Sequence, residues 1–94
     1  MPSVSRLRPG IQQDLIDRLK RIEGQARGIQ RMIEDGRDCN QVLHQVSAMK
    51  AATHGLSTEM LEQFALYCLT CPDEFDSPEQ AVGEMVAAVV RAGR

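Results

Sequence analysis

Between Pro9 and Pro72 the chain contains no proline, and apolar residues recur through that tract every three or four positions. Such a tract folds into long helix, because proline is the residue that would break it and the period matches one helical face. The first helix is expected to begin after Pro9-Gly10. Its apolar positions are Ile11, Leu15, Leu19, Ile22, Ala26, Ile29 and Ile33, whose steps of 4, 4, 3, 4, 3 and 4 draw one narrow seam. Asp35-Gly36 stops it, glycine being the usual residue just past a helix end. Asp38 with Gln41 three residues on is a capping-box pattern that opens a second helix at Cys39. That helix can run to about Thr70, roughly 45 Å at 1.5 Å per residue. Gly55 inside it costs about 1 kcal/mol relative to alanine and marks a place where it can bend. Ser77-Pro78-Glu79-Gln80 supplies cap, first-turn proline and third-position glutamine for a third helix ending near Gly93.

The expected fold class is therefore all-α, three helices per chain, in a single domain over residues 1–94 with residues 1–10 as a flexible N-terminal arm. Composition agrees: 43% of residues are hydrophobic but only 3% aromatic, which suits helices better than a β-sandwich or barrel. A hairpin of two long helices leaves much of each seam in water, and one short helix cannot cover it. Helical patterns this long usually meet a helix from another chain, so an antiparallel four-helix-bundle dimer is expected.

The net charge of −2 hides a split. Residues 1–37 hold eight Lys/Arg against five Asp/Glu, and residues 38–94 hold three against eight. No apolar leader and no membrane-length run is visible, which points to a cytoplasmic location without membrane contact. No triad, acid–base pair or phosphate loop appears, so an enzyme is not expected.

Three cysteines in a reducing compartment read as reactive or metal-binding before they read as bridges. On a helical wheel Cys68 falls within about 20° of Cys39, with Phe64 and Cys71 on the same side. Within one chain the first two would be roughly 44 Å apart. In an antiparallel dimer, Cys39 of one chain meets Cys68 of the other. Cys39 sits in the first turn of a helix, where the dipole and free N–H groups favour negative charge; Cys68 sits near a C-terminus and suits a second-attack role. Free cysteines as small core hydrophobes are the plain alternative. Cys68-x-x-Cys71 alone is a weak zinc or redox signal. His44 and His54 fall off the cysteine stripe.

The run from Arg18-Leu19-Lys20-Arg21-Ile22-Glu23-Gly24-Gln25-Ala26-Arg27 through Ile33 resembles the copper-sensitive operon repressor family, the CsoR/RcnR group. So do Cys39, the run Gln45-Val46-Ser47-Ala48-Met49-Lys50-Ala51-Ala52, and Gly55-Leu56. The likeness spans about residues 11–90. It implies helical dimers that pair into tetramers, bind double-stranded operator DNA and release it when an inducer binds at intersubunit cysteines. In Cu(I) sensors of the family a histidine lies 25 residues after the first cysteine and four before the second; here that position is Phe64. Two cysteines without the histidine resemble the persulfide-sensing, CstR-like branch, in which sulfane sulfur links the thiols across the dimer and no cofactor is required. Cu(I) held by Cys39, Cys68 and a third thiol from Cys71 is the alternative. Glu84 matches a carboxylate that lies behind the ligands of the Cu(I) sensors, whereas Asp38 stands where those sensors carry tyrosine. Formaldehyde sensing through Pro2 and Cys39, and a thiol carrier that never touches DNA, are lesser readings.

For DNA, Lys20, Arg27 and Arg31 share the face opposite the seam of the first helix, with Arg18 and Arg21 on one flank and Arg6 and Arg8 ahead of it. A basic face of this kind neutralises phosphates and releases counterions. On an isolated helix interleaved with Asp14, Asp17 and Glu23 it would read as merely solvated. The resemblance assigns DNA contact to Arg18 and Lys50. Specificity is then expected from duplex shape, because no helix-turn-helix or zinc finger is present.

Overall fold

In the computed structural model, residues 3–93 are described. Pro2, the residue on which formaldehyde chemistry would turn, lies outside them. Three α-helices follow one another, α1 (Ile11–Glu34), α2 (Cys39–Thr70) and α3 (Pro78–Ala92), with short 3-10 turns at Val4–Arg6 and Pro72–Glu74. No strand occurs among the described residues. The fold is all-α with the three expected helices. None of them is long and apolar enough to cross a membrane.

Local chemistry sets each boundary. Arg8-Pro9-Gly10-Ile11 is a tight turn closed by the Ile11 N–H donating to the Arg8 carbonyl at 3.3 Å, with Gly10 at φ +89° where only glycine sits without strain. At the end of α1, Gly36 takes φ +68°; the Arg37 N–H donates to Met32 O (3.0 Å) and the Gly36 N–H to Ile33 O (3.1 Å). This is a Schellman closure, which satisfies carbonyls the helix end would otherwise leave bare. Asp38 Oδ2 then accepts from the N–H groups of Asn40 (3.0 Å) and Gln41 (3.4 Å), starting α2. The reciprocal half of the expected capping box is diverted: the Gln41 side chain accepts from Arg37 Nε at 3.2 Å. At α3, Ser77 Oγ accepts from the Gln80 N–H (3.1 Å), while Gln80 Oε1 accepts from the N–H of Asp76 rather than of Ser77.

The chain divides into two compact units, Gln13–Leu56 and Met1–Gln12 with Ser57–Arg94. The first is a hairpin of α1 and the start of α2. It buries Leu15 and Ile29 and half-buries Ile22, Ala26, Val42 and Met49, while Leu19, Ile33, Leu43 and Val46 stay exposed. Part of the seam thus remains in water, as expected for a hairpin of two long helices. In the second unit Phe64, Cys68 and Ala81 form the core, with Phe75, Met85 and Ala88 packed against them. Val82, Val86, Val89 and Val90 of α3 are exposed. In the segment expected as a flexible arm, Val4–Arg6 forms its 3-10 turn, and the Arg6 guanidinium is ion-paired to Glu74.

α2 is unbroken through Gly55, where the sequence permits a bend. A Cβ built on Gly55 would meet only Arg18 Nη1, at an ordinary 3.5 Å. Gly55→Ala should therefore stabilise the fold by about 1 kcal/mol through helix propensity. The measurement is the thermal midpoint at equal protein concentration, and an unchanged or lower midpoint counts against it.

Candidate functional site

Cys68 lies on the last turns of α2 and is only 4% exposed, against Phe64 one turn earlier and Ala81 of α3. Burial first, and then the Glu84 carboxylate, push its thiol above the ordinary cysteine range. The buried thiol is thereby kept neutral, a poor spontaneous nucleophile until something reaches it. Cys39 differs in every respect. It is exposed, the first residue of α2, immediately after the capping Asp38. It belongs to the Gln13–Leu56 unit, and Cys68 to the other.

Cys71 is half-buried, with its sulfur 3.8 Å from Thr70 Oγ1. Three residues on from Cys68 it is turned by about 60° around the helix, which is enough to change its surroundings. It lines a cavity of about 240 Å³ with Arg6, Arg8, Gln63, Leu66 and Tyr67, residues outside the sequence-predicted sensing site. Arg8 Nε donates to Gln63 Oε1 at 3.1 Å, and its guanidinium lies 3.7 Å from Glu59. Tyr67, packed edge-to-face on Phe75 with ring centroids 6.4 Å apart, closes this end of the unit. Burial, followed by the Glu74 carboxylate, raises its hydroxyl above the usual tyrosine range.

The structure thus brings Phe64, Cys68 and Glu84 together and gives Cys71 a different cavity. Among the described residues no three His, Cys, Asp or Glu side chains converge as a metal-holding group. Arg6 and Arg8 belong to the basic N-terminal half of the sequence, yet they pair with Glu74 and Glu59 of the acidic half. The opposite charges of the two sequence halves are the signal that points to this pairing.

The six basic residues read as a DNA surface, Arg18, Lys20, Arg21, Arg27, Arg31 and Lys50, are all exposed in the Gln13–Leu56 unit. None of them makes an ion pair among the described residues. Asp14 and Asp17 share a hollow with Arg18 and Arg21, and Asp17 also accepts from Gln13 Nε2 at 2.9 Å. His44 and His54 are exposed, as expected of residues off the cysteine stripe.

Residues 11–91 match a family described as metal-sensitive transcriptional repressor. The copper-sensing transcriptional repressor CsoR of Bacillus subtilis (strain 168) is 42% identical over 72 residues, 77% of this chain and 71% of that protein. The copper-sensing repressor CsoR from Geobacillus thermodenitrificans NG80-2, solved with Cu(I), superposes with a TM-score of 0.80 at 33% identity, covering 100% of this chain and 94% of that one. The nickel-responsive transcriptional regulator InrS gives a TM-score of 0.78 at 34% identity over 85% of this chain and 90% of its own. The match across nearly the whole chain, in sequence and in fold, places it in the CsoR family of metal-sensitive transcriptional repressors.

Proposed function

We propose that this repressor is switched by reactive sulfur species at an intersubunit dithiol, Cys39 of one protomer with Cys68 of the other, in an antiparallel dimer that pairs into a tetramer. One observation carries this reading. The side chain one helical turn before Cys68 is Phe64, buried in the same apolar cluster as the thiol. A phenyl ring donates nothing to a metal, and the remaining polar neighbour, Glu84, offers a hard oxygen that Cu(I) disfavours. These residues fit a three-coordinate Cu(I) site poorly.

The chemistry needs two thiols and a sulfane-sulfur donor. The Cys39 thiolate attacks the outer sulfur of a persulfide RSSH, forming Cys39–S–SH and releasing the thiol RSH. Cys68 then attacks the inner sulfur as its own proton passes to the departing sulfide, forming a Cys39–S–S–Cys68 bond and releasing hydrogen sulfide. The two cysteines are oxidised and the donor's sulfane sulfur is reduced, so the step balances without another oxidant. The covalent link changes the spacing of the two chains, and with it the register of the basic faces carrying Arg18, Lys20, Arg21, Arg27, Arg31 and Lys50 on the duplex. The second reading is Cu(I) sensing through Cys39 and Cys68 with Cys71 as third thiol, favoured by the copper-sensing relatives. Against it stands the separate cavity that Cys71 lines.

Gel shift on operator duplex with intact-mass analysis distinguishes the two. Inorganic polysulfide should release DNA and yield chains linked through Cys39 and Cys68. Release by stoichiometric Cu(I), with no response to polysulfide, would overturn the sulfur reading.

A further inference from the structure

Gly55 stands in the middle of α2 with ordinary helical geometry and no positive φ. A glycine there costs about 1 kcal/mol relative to alanine, so neither the backbone nor helix propensity accounts for it. What marks the position is its neighbour on α1. Outside its chain neighbours and the local helix backbone, a Cβ at this position would have one heavy atom within 4 Å among the described residues, Arg18 Nη1 of α1 at 3.5 Å. The guanidinium of Arg18 lies over a gap in the α2 surface that a larger side chain would fill.

We infer that Gly55 is a positioning residue for Arg18, providing a seat that holds its guanidinium ready for a DNA phosphate. The inference rests on the reading of Arg18 as a DNA contact. Arg18 is exposed and makes no ion pair among the described residues. A long side chain in that situation would otherwise sample many rotamers, and ordering it on binding would weaken the complex. Resting it against bare helix backbone removes part of that cost before DNA arrives. Apart from its chain neighbours His54 and Leu56, no other side chain among the described residues lies within 4 Å of a Cβ built there, so enlarging residue 55 acts first on Arg18.

The test is a double-mutant cycle on operator duplex, with affinity measured across a salt series. Gly55→Ala, whose methyl group fits at van der Waals distance, should bind within about twofold of the parent, since 3.5 Å needs no displacement. Gly55→Leu should weaken binding as Arg18→Ala does and flatten the log–log salt dependence by about 0.9 for each phosphate no longer neutralised. The combined Gly55→Leu/Arg18→Ala variant should be no worse than Arg18→Ala. Circular dichroism and gel filtration check that the variants fold and assemble, and Gly55→Met, a thinner and more adaptable side chain, replaces Gly55→Leu should that variant not fold. If Arg18→Ala binds like the parent, the DNA reading of Arg18 falls and the seat with it. If Arg18→Ala weakens binding while Gly55→Leu leaves affinity and salt slope unchanged, the seat alone is overturned. It is overturned equally if Gly55→Leu weakens binding to the same extent with Arg18 absent, because the effect would then be structural.

Discussion

Cys68→Ser should bind operator DNA as the parent does and remain bound when polysulfide is added. Under the proposed chemistry this variant stops after the first step, so mass analysis should find sulfur added to Cys39 and no linked chains. Cys39→Ser should also fail to release DNA but for a different reason. Its remaining partner, Cys68, is 4% exposed and its thiol is held neutral by burial and Glu84, so little sulfur should be added there. Cys71→Ser should respond like the parent, because that thiol lines a cavity apart from the Phe64–Cys68 cluster. The three variants together form a strict test. A Cys71→Ser protein that no longer responds, beside a Cys39→Ser protein that does, would move the switch to Cys68 and Cys71.

The second large effect is expected from Phe64→His. The substitution places an imidazole one helical turn before Cys68, adding the nitrogen donor that the cluster lacks. Cu(I) affinity, measured by competition with a chromogenic chelator, should rise by more than the roughly 10–100-fold that outer partners of a metal site contribute. DNA release should become Cu(I)-dependent. Phe64 is 9% exposed, and exchanging its ring for a smaller polar one should cost about 1–3 kcal/mol of stability. Unchanged Cu(I) affinity in a folded Phe64→His protein would show that residue 64 does not face the dithiol and would remove the main support for the sulfur reading.

How much of the molecule is legible in its sequence follows how local the physics is. Helix ends are legible because caps and stops are written within four residues: Asp38 before Cys39, Ser77 before Pro78, Gly36 after Asp35. The seam of α1 is legible as a period, including the two positions that the hairpin leaves exposed, Leu19 and Ile33. The pairing of Phe64 with Cys68 follows from a four-residue step on one helix face. Contacts between distant segments carry no such pattern. Nothing periodic links Arg6 to Glu74, 68 positions apart, so from sequence the N-terminal turn reads as an arm. A helical wheel likewise sets Cys71 on the cysteine side, yet the wheel does not show which segment faces a side chain at a helix end. The N-terminal residues Arg6 and Arg8 are what give Cys71 walls of its own.

The apolar side chains left in water, Leu19, Ile33 and Leu43 on the hairpin and Val82, Val86 and Val89 on α3, bear on how long the repressor lasts. In the proposed assembly they are covered only when chains meet, so part of the folding free energy is a mass-action term that grows with concentration. Scarce chains would spend more time open, and open chains are what proteases clear. Supply and lifetime of the repressor would then rise and fall together, making the number of copies self-sharpening before any inducer is present.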